Sequence, residues 1–105
     1  MNDHCLIYMT CASKDEAEKI LLTLLEERLV ACGNIFPPVT SYFHWDGKID
    51  KSEEVVVLMK TKSDKFAEVE KRIVDLHSYD VPCVMQISAP QMHGPFANWI
   101  NENVK

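Results

Sequence analysis

The sequence is first informative through what it lacks. It has only three glycines and no glycine-rich loop, so it offers no backbone cradle for a nucleotide phosphate. Lys and Arg number 11 against 16 Asp and Glu, and the resulting net charge of −5 argues against a nucleic-acid partner. No apolar run approaches the length of about 18 residues that a membrane span requires, so no membrane association is expected. The stretch from Met1 to His4 is neither basic nor apolar, which predicts a cytoplasmic protein without a classical signal peptide.

The four cysteines are spaced too irregularly for the common thiol motifs. None of them forms a Cys-x-x-Cys pair, so neither a zinc ribbon nor a thioredoxin motif is present. The segment Met9-Thr10-Cys11 resembles the start of a copper-chaperone loop, but Lys14 stands where the second cysteine would be. A pairing of Cys11 or Cys32 with His77 as nucleophile and base stays open. Because no nucleophile elbow or paired-carboxylate pattern accompanies it, we predict that the protein is not an enzyme.

Length and hydrophobic pattern predict one domain over residues 1–105. Ser13 and Glu16 form a capping-box pattern before the first helix, and Ser63 is the expected cap of the second. Asp46-Gly47 between two runs of strand-forming residues predicts a tight hairpin in which Trp45 faces Lys48. The expected elements are strands near 5–9, 32–45, 49–59 and 83–88 and helices near 14–28, 63–76 and 94–100.

This order of elements indicates a known arrangement. Two strand–helix–strand units and a final helix predict an α+β, ferredoxin-like βαββαβ sandwich with a long hairpin between its second and third strands. The solid apolar runs place strands one and three at the centre. Pro37-Pro38 indicate that the second strand lies at an edge or is interrupted there, and the alternating fourth strand indicates the other edge. Unpaired edges and an overlong hairpin predict a closed homo-oligomer, for which we expect three-fold symmetry.

His77 directly follows the last apolar residue of the second helix, Leu76. A His at this place often interacts with the helix dipole and the last carbonyl groups. Beside Tyr79 and Asp80 on a tight turn, it is also a candidate metal ligand. We expect the turns after the first strand and after the second helix to lie at opposite ends of a subunit. On that expectation, Cys11 and His77 meet only between neighbouring subunits.

Several segments, in the same order along the chain, resemble signatures of the CutA divalent-cation tolerance proteins. The family signatures are EERLAACVNI, VTSIYxWxGKI, EExxLLIKT and LHPYEVPE. The matching segments, with Gly94 and Trp99-Ile100 near the end of the chain, are Glu26-Glu-Arg-Leu-Val-Ala-Cys-Gly-Asn-Ile35, Val39-Thr-Ser-Tyr42 with Trp45-Asp-Gly-Lys-Ile49, Glu53-Glu54 with Leu58-Met-Lys-Thr61, and Leu76-His-Ser-Tyr-Asp-Val-Pro82.

The resemblance implies a ferredoxin-like subunit, related to the PII signalling proteins, that forms a homotrimer through exchanged hairpins. It implies a role in tolerance of divalent metals, with copper (Cu2+) foremost among them. Cys11 and His77 are the metal-binding residues that the resemblance implies. It implies no enzyme activity, and the partners that it implies are the metal ion and the other subunits.

The chain departs from the family pattern around His77. Ser78, Asp80 and Cys83 replace a Pro and two Glu residues, and Leu76 stands where some relatives carry a second His. One Cu2+ ligand is thereby lost, and the thiol of Cys83 would favour softer metals.

Two other functions remain open from the sequence. One is a PII-like sensor that binds a small anion or metabolite in clefts between subunits, lined by Lys60, Tyr79 and Asp80. The other is a structural scaffold in which thiol chemistry has no function.

Overall fold

The computed structural model describes residues 3–105 and has the predicted ferredoxin-like fold. Pro37-Pro38 interrupt the predicted second strand, so the sheet has five strands. A single 3-10 turn, Ser63–Lys65, precedes the second helix. The elements are β1 (His4–Cys11), α1 (Lys14–Glu26), β2 (Cys32–Ile35), β3 (Val39–Trp45), β4 (Lys48–Lys62), α2 (Phe66–Leu76), β5 (Val84–Ser88) and α3 (Gly94–Asn103).

The sheet is antiparallel throughout, in the order β2-β4-β1-β5. Strand β3 pairs with the first half of β4, from Lys48 to Glu54. The apolar strands β1 and β4 are therefore central, as predicted, and β2 and β5 lie at the edges. Antiparallel pairing of Met9 with Val84 places the end of β1 beside the beginning of β5. The turn that carries His77 leads into β5 and must therefore approach the end of β1.

The two longer helices cover one face of the sheet and form the core with it. Alternate residues of β1 and β4 point to this face, because successive side chains of a strand lie on opposite sides. The opposite face keeps apolar residues that are only partly covered, among them Tyr8, Leu58 and Met85. The core residues from the helices and the two central strands are Cys5, Ile7, Met9, Cys11, Ala17, Ile20, Leu21, Leu24, Val55, Val57, Met59, Val69 and Ile73.

Two helix boundaries differ from the sequence prediction. Helix α1 ends at Glu26 because Arg28 adopts a left-handed conformation with φ of 57°. The amides of Arg28 and Leu29 then bond back to Leu25 and Leu24, which is a Schellman ending without its usual glycine. Ser63 is not the cap of α2: it begins the 3-10 turn, its hydroxyl is buried without a hydrogen-bond partner, and α2 starts at Phe66.

The β3–β4 hairpin has the predicted register, with Trp45 opposite Lys48. Both Asp46 and Gly47 have positive φ, at 52° and 73°, which is the conformation of a type I′ turn. The hairpin lengthens the molecule to 44 Å, and the radius of gyration is 14.3 Å. A compact chain of this length would have a radius of gyration of about 13 Å. Trp45 and Ile49 near the tip are 65% and 73% exposed, so this region has large apolar side chains on its surface.

Between residues 3 and 105, no helix combines the length and the apolar character needed to cross a membrane.

Candidate metal centre

Three potential metal ligands meet where β1 ends and α1 begins. The side chains of Cys11, Glu16 and His77 have donor atoms that all lie within 4.8 Å of one another. All three belong to the same chain, so the expectation that Cys11 and His77 meet only between subunits is wrong. The cause is the antiparallel pairing of β1 with β5, which brings the turn after α2 back to the end of β1.

His77 is fixed by hydrogen bonds at both ring nitrogens. It leaves the helix in an extended conformation (ψ 145°), so its side chain turns away from α2 and is completely buried. The Tyr79 amide donates to His77 Nδ1 at 3.1 Å, which identifies Nδ1 as the unprotonated nitrogen. His77 Nε2 therefore carries the proton and donates it to the Thr10 carbonyl oxygen at 2.8 Å. The imidazole thereby connects the turn to β1.

Glu16 connects the same two segments through backbone amides. Its Oε1 accepts from the Ala12 amide at 3.1 Å and its Oε2 accepts from the Ser78 amide at 2.7 Å. Partial burial acts to raise the pKa of Glu16, but the hydrogen bonds from Ser78 and Ala12 outweigh it and hold the pKa below its ordinary value. The predicted capping box is thus half formed. Ser13 Oγ accepts from the Glu16 amide at 3.2 Å, as in a capping box. The Glu16 carboxylate, however, accepts from the amides of Ala12 and Ser78.

Cys11 has no exposed surface and lies on the helix-covered face of the sheet. Burial raises the pKa of its thiol to about 12, and the negative charges of Glu16 and Glu54 add to the increase. The thiol is therefore protonated at neutral pH. Both nitrogens of His77 are engaged by backbone groups, so neither is free to take the thiol proton in this conformation. The three side chains do not form an activated nucleophile here.

The donor set nevertheless suits a divalent transition metal. Thiolate, imidazole and carboxylate are all ligands of copper and zinc, and sulfur and imidazole nitrogen are the donors that copper prefers among them. Metal ligands must be deprotonated, so binding here must displace the thiol proton and the amide hydrogen that occupies Nδ1. Glu16 already carries its negative charge. The residues present therefore fit a divalent metal by their donor chemistry, and a metal bound at His77 Nδ1 would have to replace the Tyr79 amide there.

The sequence departures have different structural outcomes. Cys83 lies outside the cluster: it lines a cleft on the opposite face of the sheet together with Thr10, so it does not soften the donor set. Leu76, at the position of a second His in some relatives, packs against the core. Among the described residues, the metal cluster thus contains Cys11 and His77 from the prediction and adds Glu16.

The cleft has a volume of about 740 Å³ and lies between the hairpin and the His77 turn. Tyr79 and Asp80 are among the residues that line this cleft, which lies within one subunit, whereas the sensor hypothesis places them in a cleft between subunits. Lys60 does not line it, because its ammonium group donates to Asn34 Oδ1 on the neighbouring strand. The residues that line the cleft include aromatic side chains of the hairpin and three carboxylates, those of Asp50, Glu54 and Asp80, but neither Lys nor Arg.

The sequence did not indicate the roles of two carboxylates, Glu16 in the candidate metal cluster and Glu54 as the partner of Tyr79. Glu16 was assigned only to helix capping, although a carboxylate in the first turn of a helix that directly follows β1 must lie near Cys11. Glu54 was seen only as part of a strand, but its Oε2 accepts a hydrogen bond from the Tyr79 hydroxyl at 2.9 Å. Burial raises the pKa of Tyr79 to about 12, and the hydrogen bond and the charge of Glu54 add to the effect. No local pattern in the sequence signals this long-range contact.

Comparison with known proteins agrees with the fold and the motifs. The chain is 44% identical over 102 residues to the divalent-cation tolerance protein CutA of Archaeoglobus fulgidus, covering 97% of this chain and 99% of the relative. It is 36% identical over 100 residues to the protein of the same name from Pyrococcus horikoshii, covering 95% and 97%. A solved structure described as the periplasmic divalent cation tolerance protein CutA of Archaeoglobus fulgidus matches with a TM-score of 0.95 at 44% identity and covers 97% of this chain and 99% of its own. Residues 5–103 match the family described as CutA1 divalent ion tolerance protein. The chain therefore belongs to the CutA1 divalent ion tolerance family.

Proposed function

We propose that this protein binds copper as part of a response to divalent metal ions, with Cys11 and His77 as ligands and Glu16 as a third. One observation carries the proposal: the three side chains converge within 4.8 Å although 61 residues separate Glu16 from His77 along the sequence. When bound, the metal would be held by sulfur, nitrogen and oxygen donors, a set that also accommodates zinc. The established family membership supports metal tolerance in general, and the donor chemistry supports copper in particular.

An anaerobic titration of the purified protein with Cu2+ tests the site, and Zn2+ serves as a second metal that does no redox chemistry with the thiol. We expect Cys11→Ser and His77→Ala each to weaken binding by more than the roughly 10–100-fold that loss of a group outside the ligand set costs. Cys83→Ser is the matched control, because it removes a thiol from the opposite face of the sheet. Unchanged affinity and stoichiometry in both ligand variants would show that the site is elsewhere.

The assembly that we propose is a homotrimer in which residues 1–105 form one CutA-like domain per subunit. The exposed apolar tip of the hairpin and the partly covered face of the sheet support association, since soluble monomers rarely expose large contiguous apolar patches. The outer edges of β3 and β5 have no partner strand within the described part of the chain, which supports strand pairing between subunits. Sedimentation or light scattering should give three times the 12.0 kDa of the chain. A mass equal to one chain would exclude this assembly.

The cleft beside the His77 turn favours a second candidate, a PII-like sensor of a small ligand. Its volume is sufficient for a small metabolite. Its carboxylates disfavour an anionic ligand, so the ligand would be neutral or cationic. A metabolite that raises the melting temperature of the protein, under conditions where copper does not, would support the sensor over the metal-binding function.

We assign the protein to the cytoplasm and assign it no catalytic activity. All four cysteines are free, as is usual in a reducing compartment. The related Archaeoglobus structure is described as periplasmic, so cell fractionation is the appropriate test. Recovery of the protein with periplasmic markers would contradict the assignment.

A further inference from the structure

The Tyr79 side chain ties the His77 turn to strand β4. Its hydroxyl donates to Glu54 Oε2 at 2.9 Å, and its ring lies 4.7 Å from the His77 ring, at an angle of 51°. Glu54 lies where the pairing of β4 with β1 ends and its pairing with β3 begins: Val55 pairs with β1 and Glu54 pairs with β3. Tyr79 is thus anchored to the junction between the sheet and the hairpin.

The backbone amide of Tyr79 is hydrogen-bonded to the His77 nitrogen that a metal would need. The Tyr79 amide donates to His77 Nδ1 at 3.1 Å, while His77 Nε2 is committed to the Thr10 carbonyl oxygen. Nδ1 is the unprotonated ring nitrogen, whose lone pair accepts this hydrogen bond and could otherwise bind a metal. It lies 3.8 Å from Glu16 Oε2. A metal that uses this nitrogen must first displace the Tyr79 amide.

We propose that Tyr79 and Glu54 form a latch over the candidate metal site, in which the Tyr79 hydroxyl holds the turn so that its amide covers His77 Nδ1. This inference rests on the proposed metal-binding function and adds how access to the site is controlled. Tyr79 acts through His77 and is a positioning residue, not a ligand. Metal binding requires the latch to open, so the rate of opening sets the maximum rate of binding.

Stopped-flow binding of Zn2+ tests the latch directly. With increasing metal, the observed rate in the wild-type protein should level off at the rate of opening. Tyr79→Phe keeps the ring and the amide but removes the hydroxyl, and we expect it to raise this plateau on the order of tenfold, the factor for one lost hydrogen bond to a charged acceptor. Glu54→Gln keeps an oxygen acceptor for the hydroxyl but removes its charge, so it should weaken the latch and raise the plateau by a smaller factor than Tyr79→Phe.

A second measurement needs no metal. Hydrogen exchange of the Tyr79 amide, followed by NMR, reports opening of the turn, because this amide exchanges only when it leaves Nδ1. Tyr79→Phe should accelerate exchange at this amide and leave the amides of β1 and β4 unchanged. A general loss of stability would instead accelerate exchange at many sites. Tyr42→Phe, at an exposed tyrosine of the hairpin that lines the same cleft, is the matched control.

The outcomes separate the latch from the metal site itself. A higher plateau and faster Tyr79 exchange in Tyr79→Phe, with a smaller increase in Glu54→Gln and no change in Tyr42→Phe, support the latch. Slower or unchanged binding in Tyr79→Phe overturns the latch and leaves the proposed function intact. If the wild-type protein binds neither Zn2+ nor Cu2+, the proposed function fails and the latch over that site fails with it.

Discussion

The hairpin and the metal cluster depart from ordinary globular structure in opposite directions. In the hairpin, large apolar side chains such as Trp45 and Ile49 are on the surface. In the cluster, the titratable side chains of Cys11 and His77 are completely buried. Apolar surface is stabilised by contact with other apolar surface, and buried titratable groups are stabilised by hydrogen bonds or metal ions. The exposed hairpin is therefore consistent with the proposed assembly, and the buried cluster is consistent with the proposed metal site.

The two regions are also held differently. The hairpin depends on a local turn, in which Asp46 and Gly47 adopt positive φ, and on pairing between β3 and β4. The cluster depends on contacts between distant segments, such as the bond from the Ser78 amide to Glu16. Changes in the hairpin should therefore affect assembly first, whereas changes in the cluster should affect the stability of each subunit and its metal binding.

The largest effect is expected from a charge at the hairpin tip. Ile49→Arg replaces a side chain that is 73% exposed in the single subunit with a charged one, so folding of the subunit should be unaffected. Burying an Ile side chain contributes about 2 kcal/mol, which is about thirtyfold at each interface, and because the proposed trimer has three hairpin tips its total loss should be about 6 kcal/mol. Sedimentation velocity over a range of protein concentrations measures the shift towards monomer. Leu22→Arg, at an exposed position of α1, is the control. Equal masses for both variants and the wild type would contradict the role of the hairpin in assembly.

An intermediate effect is expected from the Cys11 thiol at alkaline pH. Its pKa is about 12 in the folded chain, against 9.0 for a free thiol. Between these values the unfolded chain loses the proton and the folded chain keeps it, so the free energy of unfolding falls as the pH rises from 9 towards 12. At 1.36 kcal/mol per pKa unit, the loss approaches about 4 kcal/mol.

Urea unfolding at several pH values measures this loss. Cys11→Ala should reduce the alkaline slope by the part that Cys11 contributes, at the cost of a small cavity, whereas Cys83→Ala should retain that part. An alkaline slope that is the same in Cys11→Ala and in the wild type would show that the buried thiol does not control it.

The smallest effect is expected at the hairpin turn. Gly47 has φ of 73° and no atom within 4 Å of an added Cβ, so Gly47→Ala introduces backbone strain without a steric clash. We expect a loss of about 1 kcal/mol in the free energy of unfolding. Gly94→Ala is the matched control, since Gly94 also has open space but does not have positive φ. Similar unfolding midpoints for the two variants would show that the turn conformation does not limit the stability of the hairpin.

Sequence reasoning was most successful where the physical cause is local. The Asp46-Gly47 turn, the interruption at Pro37-Pro38 and the central position of the apolar strands are all properties of short segments, and the structure confirms them. The end of α1 was less predictable, because Arg28 takes a left-handed conformation that glycine usually signals. Ser63 looks like a helix cap in the sequence, but its hydroxyl is buried before the helix begins.

The candidate site shows the same division between local and distant causes. The sequence by itself determined the family and the ferredoxin-like fold, and its family resemblance pointed to two of the three proposed donors, Cys11 and His77. Only the tertiary structure decided that these meet within one chain, because antiparallel pairing of β1 with β5 returns the His77 turn to the end of β1. It also decided that Glu16 joins them and that Tyr79 covers His77 Nδ1. These contacts join segments about 60 residues apart, or depend on how one turn is held, and no periodic pattern in the sequence encodes them.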